Sequence, residues 1–279
     1  MGERYLRILL FLICFSALFA GPGYTAQVTL AWDPNTEQDI AGYRIYYGTA
    51  SRVYNWFVDA GNVSTYTVTG LPDGGTYYFA ATAYDNLDIE STYSAEVIWH
   101  ESTVDPLLNE ITIGTQFSIT GSYLGTKKGK VLIGTAAAKI LSWNETSITC
   151  SANKVPLPSG PCDVIIKLQP YKSVSPFLLP GALTVMNPEL DPFSIGHGSP
   201  GDEITITGKF FGTKKGKVYL EDPSTAQKKS CKVTSWSMNP ATSESTLSFV
   251  VPKGLVAGIH PLKVTNKIGT AEKSFTIDP

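Results

Sequence analysis

Apolar residues fall on alternate positions in short runs along most of the chain. Val28, Leu30 and Trp32 share one side of residues 27–32, and Tyr43, Ile45 and Tyr47 do the same within residues 42–47. Residues 65–68, 76–84 and 93–99 repeat the pattern. A two-residue apolar period is that of a half-buried strand. Between the runs lie turn-forming clusters: Asp33-Pro34-Asn35, Gly61-Asn62, Pro72-Asp73-Gly74-Gly75 and Asp85-Asn86. Short strands punctuated roughly every 8–12 residues predict an antiparallel sandwich. No segment keeps the 3.6-residue apolar period of a helix beyond one or two turns.

The start of the chain reads differently. Arg4 and Arg7 precede an apolar stretch over residues 8–20, which closes on small residues and then Gly21-Pro22-Gly23. This is the pattern of a secretory signal peptide over residues 1–20. The stretch is shorter than the roughly 20 residues that span a bilayer, and no later segment approaches that length. Cys14 is a poor lipidation site, because Ile13 precedes it and it sits inside the apolar core. The mature chain is therefore expected to be exported without a membrane span, and to be secreted, periplasmic or at the cell surface.

Residues 26–100 resemble a bacterial fibronectin type III domain. The resemblance rests on Val28-Thr-Leu-Ala-Trp-Asp-Pro, Gly42-Tyr43-Arg44-Ile45-Tyr46-Tyr47-Gly48, Leu71-Pro72-Asp73-Gly74-Gly75-Thr76-Tyr77-Tyr78 and Tyr93-Ser94-Ala95-Glu96-Val97. It implies that Trp32 is the core tryptophan between two sheets. It also implies that Tyr77 is a tyrosine corner, whose hydroxyl returns to the backbone. About six residues remain before Val28 after the expected cleavage, so the first strand of the family is short or missing. Residues 27–32 would then form an open sheet edge, or be covered in part by residues 21–26; open edges invite pairing.

Beyond residue 100 the chain repeats itself. Residues 117–133 align with 204–220 at a constant offset, and ten of the seventeen positions are identical. Asp105-Pro106, Ser142-Trp143 and Val155-Pro156 recur as Asp191-Pro192, Ser235-Trp236 and Val251-Pro252. Each copy resembles an IPT/TIG domain, through Ile119-Thr120-Gly121 with Leu124-Gly125, and Ile206-Thr207-Gly208 with Phe211-Gly212. Gly121 and Gly208 are structural positions of that motif. The expected fold is all-β: three tandem immunoglobulin-like β-sandwiches after the signal peptide. Residues 21–100 form the fibronectin type III-like domain, 103–186 the first repeat and 188–279 the second.

Composition sharpens this picture once it is divided by domain. The whole chain carries a net charge of −2, which disfavours a whole-chain nucleic-acid binder. Residues 27–100 hold two Arg and nine acids, whereas residues 101–279 hold eighteen Lys and fourteen acids. An acidic first domain thus precedes a basic pair. Lys127, Lys128 and Lys130, with Lys214, Lys215 and Lys217, are expected at hairpin turns. They serve either as solubilising tips or as basic prongs for an anionic partner. Nearly half of the aromatic residues, fourteen of 31, fall within residues 27–100. If Tyr43, Ile45 and Tyr47 face the core, Tyr46 faces outward, and either the Tyr54/Trp56 pair or Phe57 joins it. Tyr46, Tyr54, Trp56 and Phe57 are candidate binding residues, since exposed rings stack on sugars or anchor proteins.

Cysteine and motif chemistry add little. Cys150 and Cys162 lie twelve positions apart and are the expected disulfide in an oxidising compartment, leaving Cys231 as a buried apolar residue. Gly196-His197-Gly198-Ser199-Pro200-Gly201 spells a dinucleotide fingerprint, but a strand follows it where a helix is required. His100, His197 and His260 have no metal-ligand spacing, and no nucleophile elbow is present. Two carboxylate loops, Asp33/Glu37/Asp39 and Asp85/Asp88/Glu90, match no defined calcium site. No catalytic, cofactor or metal residue is assigned. The expectation is an exported, non-catalytic adhesion or scaffold protein with a protein or polysaccharide partner at the cell surface and no nucleic acid. The alternative is a carbohydrate-binding accessory protein of the envelope or of a secreted enzyme system.

Overall fold

A computed structural model of the chain describes residues 26–72, 75–169, 176–192, 194 and 196–279, together with the backbone of 11–13. The expected signal peptide otherwise lies outside the described residues. Every regular element among them is a strand, and the sheets are stacked as tandem immunoglobulin-like β-sandwiches. The chain divides into two units, one holding residues 1–104, 121–129 and 167–176 and the other holding the rest.

The first unit opens with β1 (Phe11–Ile13), β2 (Ala26–Ala31), β3 (Ile40–Gly48), β4 (Trp56–Gly61), β5 (Thr65–Leu71), β6 (Thr76–Asp85) and β7 (Val97–His100). One sheet has the order β1-β2-β5 and the other β4-β3-β6-β7. Alternation does the work the sequence implies. Val28, Leu30, Trp32, Tyr43, Ile45, Val68, Tyr77, Phe79 and Trp99 form one shared core between the two sheets. Trp32 packs against Tyr43 at 5.3 Å between ring centroids. The Tyr77 hydroxyl donates to the Pro72 carbonyl at 3.1 Å and pins the loop before its strand. At the edge, β1 runs antiparallel to β2, with Phe11 opposite Ala31 and Ile13 opposite Thr29. Thr29 to Ala31 of this edge are therefore paired in the full chain.

The repeats are built to one plan. The first has β8 (Thr103–Val104), β9 (Asn109–Ile111), β10 (Gln116–Ser122), β11 (Lys130–Ile133), β12 (Ala136–Ala137), β13 (Lys139–Trp143), β14 (Ser147–Ser151), β15 (Gly160–Lys167) and β16 (Phe177–Val185). The second has β17 (Glu189–Leu190), β18 (His197–Gly198), β19 (Glu203–Lys209), β20 (Lys217–Glu221), β21 (Lys228–Ser230), β22 (Lys232–Met238), β23 (Glu244–Val250), β24 (Gly258–Thr265) and β25 (Thr270–Ile277). In each, a short strand pairs parallel with the last one: β9 with β16, and β18 with β25. The glycine motif at residues 196–201 is thus a strand followed by a turn. Gly121 and Gly208 have one shared reason to be glycine. A Cβ there would lie 2.1 Å from the Thr103 carbonyl oxygen in the first repeat and 2.0 Å from that of Glu189 in the second.

Two expectations are corrected by this plan. The lysine loops are not hairpin turns, because β10 and β11 belong to different sheets, as do β19 and β20. Strand β10 already has β8 and β14 as neighbours, and β19 has β17 and β23, so the next strand must start the other sheet. The crossing loop drives Leu124 or Phe211 into the core, and Tyr123 or Phe210 before it takes a positive φ of 54° or 59°. The Cys150–Cys162 bridge is not formed either; Cys150, Cys162 and Cys231 are free and buried. Cys150 lies on β14 and Cys162 on β15, in different sheets, each filling core space as a small apolar side chain.

Within the second unit the repeats are joined by direct hydrogen bonds. The Thr213 amide donates to the Ile113 carbonyl at 3.0 Å, and the Gln116 amide to that of Pro240 at 2.7 Å. Buried hydroxyls of Thr115 and Ser243 meet at 3.1 Å. Gly114, with φ of +100°, makes room for this contact, since a Cβ there would sit 2.2 Å from Thr213 Oγ1.

Candidate functional site

The outer face of the β4-β3-β6-β7 sheet collects the unusual residues of the chain. Register decides which ones. Tyr46 on β3 stands opposite Phe57 on β4 and Ala80 on β6, while Tyr47 stands opposite Trp56. Because side chains alternate across a sheet, Tyr46 and Phe57 point outward, and Tyr47 and Trp56 point toward the core side. Tyr46 and Phe57 stack at 5.5 Å between centroids. Tyr93 meets Tyr46 edge-on at 5.1 Å and also Tyr54 at 5.1 Å. The four rings form one cluster, with Phe57 59% and Tyr93 53% exposed.

Of the four aromatic candidates, the structure brings together Tyr46, Tyr54 and Phe57. Trp56 is separate: it stacks on Tyr47 at 5.7 Å, on the opposite face of the same edge strand. Tyr93 is the member that sequence reasoning placed only within a strand run. It lies in the segment before β7, which hydrogen-bonds along the free edge of β6 through Ser91 to Ala83 and Ser94 to Ala81. Its aromatic neighbours in space, Tyr46 and Tyr54, are distant in sequence, so no spacing signal marked it.

Two carboxylates hold two of the four rings, Tyr46 and Tyr54. Glu90 accepts from the Tyr46 hydroxyl at 3.0 and 2.9 Å, from Thr82 Oγ1 at 2.6 Å and from Arg44. Glu96 accepts from the Tyr54 hydroxyl at 2.8 Å, Ser51 Oγ at 2.7 Å and the Arg52 amide at 2.7 Å. Burial works to raise both carboxyls, but these donors outweigh it and hold both below the usual range. Burial, reinforced by Glu90, pushes the Tyr46 phenol up to about 12, and Tyr54 is raised for the same reasons beside Glu96. Arg44 also reaches Asp88 and lies over the Tyr84 ring at 4.6 Å from its centroid. Tyr84 in turn donates to Asp59 at 3.0 Å and covers Gly42, where a Cβ would come within 2.4 Å of its oxygen. The second carboxylate loop is accordingly a partner set for Arg44 and Tyr46. In the first, the Asn35 amide donates to the Tyr43 hydroxyl at 2.8 Å, and Asn35 Nδ2 to Glu37 at 3.1 Å.

The lysines lie elsewhere. Lys127 and Lys128 are exposed on the first crossing loop and Lys214 and Lys215 on the second, while Lys130 and Lys217 are the exposed first residues of β11 and β20. Lys215 donates to the Val233 carbonyl at 2.7 Å and so braces its own loop. Among the described residues, no helix is long and apolar enough to cross a membrane, and no cluster of three or more metal-ligating side chains occurs.

Comparison with known proteins supports an immunoglobulin-like domain protein. Residues 102–179 match the IPT/TIG domain family. A 79-residue stretch is 39% identical to the Kelch domain-containing protein SSO1033 of Saccharolobus solfataricus, covering 28% of this chain and 10% of that protein. The chain thus spans about a tenth of the curated relative that it matches. Among solved structures, it is similar to SGBP-B of the Bacteroides ovatus mixed-linkage glucan utilization locus, in complex with mixed-linkage heptasaccharide. That match has 15% identity and a TM-score of 0.29, over 91% of this chain and 64% of that one. A second is SGBP-B from a complex xyloglucan utilization locus in Bacteroides uniformis, with 17% identity and a TM-score of 0.30, over 63% of this chain and 48% of that one.

Proposed function

We propose that this chain is an exported, non-catalytic surface-adhesion protein. In this reading residues 1–20 are removed on export. Residues 21–100 form the binding domain, and 103–186 and 188–279 form two IPT/TIG-type sandwiches that carry it. The observation that supports it is the preorganised aromatic cluster of Tyr46, Tyr54, Phe57 and Tyr93 on an outer sheet face. Two large rings more than half exposed are an anchor for a partner surface, and fixing them in advance lowers the entropy lost on binding.

The chemistry of the site agrees with binding more than with turnover. A general acid needs a carboxyl raised toward neutrality, whereas Glu90 and Glu96 are lowered. A thiol nucleophile needs a depressed pKa and access, whereas Cys150 and Cys231 are buried and pushed up to about 12. The test is retention of the purified chain on native cell-surface material, with Phe57→Ala as the comparison. A loss of at least tenfold with an unchanged melting temperature is expected. Equal retention of both proteins would move the binding surface elsewhere.

A further inference from the structure

Resting on that reading of the aromatic face, we infer that its ligand is an uncharged polysaccharide that lies across the rings of Phe57, Tyr46 and Tyr93. Three observations point there. First, the rings are presented as surfaces. Phe57 stacks on Tyr46 and Tyr93 abuts it edge-on, so the cluster offers ring faces and edges. Sugar rings, with apolar C–H faces and polar rims, fit such a shelf. The π-face is electron-rich and favours contact with the weakly positive C–H groups.

Second, the polar atoms beneath the shelf are already committed. Both oxygens of Glu90 and both of Glu96 accept hydrogen bonds from within the domain. They lock Tyr46 and Tyr54, against which Phe57 and Tyr93 pack, and leave recognition to stacking.

Third, charge selects the class of polymer. Asp59 and Asp88 flank the cluster, and residues 27–100 carry nine acids against two arginines. A polyanion approaching this face meets net repulsion, whereas an uncharged chain does not. The acidic first domain and the basic lysine loops therefore select different partners. A repeating polymer also suits weak individual stacking contacts, because many equivalent segments compete for one site.

Affinity electrophoresis tests this. The mature chain is run through gels containing uncharged polysaccharides (glucans, mannans, xylans) or anionic ones (alginate, polygalacturonate). We expect retardation by at least one uncharged polymer, insensitivity to salt between 50 and about 500 mM, and loss of at least tenfold in Phe57→Ala and Tyr93→Ala. Circular dichroism melting confirms that both variants fold, and Phe57→Tyr, which keeps a ring, should retain binding. Retardation by anionic polymers alone overturns the inference, as does retardation of Phe57→Ala equal to the parent. If no polysaccharide slows the chain while Phe57→Ala still loses its grip on cell-surface material, the ligand is a protein. The inference then fails and the adhesive reading stands. If Phe57→Ala also keeps that grip, both fail.

Discussion

The first sandwich and the repeats use one architecture in opposite ways. Each buries alternate side chains between two sheets, with large aromatics at the centre: Tyr43 and Phe79 in the first sandwich, and Phe211, Phe249 and Phe275 in the second repeat. They part at the outer faces. On the first sandwich the outer face carries Phe57 stacked on Tyr46, with Tyr46 and Arg44 tied to Glu90, Tyr54 to Glu96 and Tyr84 to Asp59. On the equivalent sheet of the second repeat, β21-β20-β24-β25, the outward rows carry Tyr219, Glu221, Ile259 and Lys263, with Lys263 bridging Glu221 at 2.8 Å and Glu272 at 3.4 Å. The difference teaches that one fold can carry unlike outer faces.

The largest expected effects probe whether the two kinds of sandwich are independent. Phe249→Ala removes a fully buried ring from the core of the second repeat and should cost about 3–5 kcal/mol. Calorimetry should show one transition lowered while retention by the aromatic face is kept. A parallel loss of retention would mean that the regions fold as one. Next, Gly114→Val places a β-branched side chain at φ of +100° against Thr213, and should cost about 1–3 kcal/mol. Hydrogen exchange should then speed up at the amides of Gln116 and Thr213, which cross between the repeats, more than in either core.

Smaller effects address the ring-locking carboxylates. Because Glu90 and Glu96 titrate below their unfolded value, their stabilisation is present above about pH 4.3 and is lost as pH falls through the lower folded values. Near-UV circular dichroism of the tyrosines should fade there before the backbone signal. Glu96→Gln should cost about 1–2 kcal/mol at neutral pH and flatten that dependence. Tyr46 is raised, so the sign reverses: its contribution is lost as pH rises through about 12. Ultraviolet titration of the parent minus Tyr46→Phe should therefore place its ionisation near there, above the ordinary phenol. A phenol that ionises at its usual value would mean that the Tyr46–Glu90 contact does not persist in solution.

How much of this was legible beforehand follows from what was local. Strand alternation marked Val28, Leu30, Tyr43 and Ile45 as core because a two-residue period needs only neighbours. The repeat located Gly121 and Gly208 without explaining them, since their reason is a carbonyl on a strand far upstream in sequence. The outward turn of Tyr46 followed from Tyr43, but the choice between Trp56 and Phe57 depended on β3–β4 register, which one residue of slip would reverse. Tyr93 and the roles of Glu90 and Glu96 were invisible, because they arise where residues 86–96 fold back along β6. The disulfide failed for the same reason: twelve positions of sequence proximity gave no account of which sheet each cysteine would join.

The adjacent pair Trp56 and Phe57 gives a closer test of the face assignment. Trp56 is 49% exposed and stacks on Tyr47 at the rim of the core, so Trp56→Ala should lower stability by about 1 kcal/mol and leave retention unchanged. Phe57→Ala should do the reverse. Exchanged outcomes would mean that β4 pairs one residue out of register.

The smallest expected effect separates two lysines that share a charge and differ only in their contacts. Lys215 donates to the Val233 carbonyl, whereas Lys214 beside it is exposed on the same crossing loop. If these loops serve mainly to cross between sheets, Lys215→Ala should cost about 0.5–1.5 kcal/mol. Lys214→Ala and Lys127→Ala should stay within about 0.5 kcal/mol, as expected of surface positions. If the loops instead grip a polyanion, all three substitutions should weaken that binding alike, and the affinity should fall steeply with salt whatever their effect on stability. Chemical denaturation of the three variants, run beside a salt series on an anionic polymer, decides between a bracing role confined to Lys215 and a shared binding role. The first outcome would leave adhesion to the aromatic face, and the second would give the chain two surfaces of opposite preference.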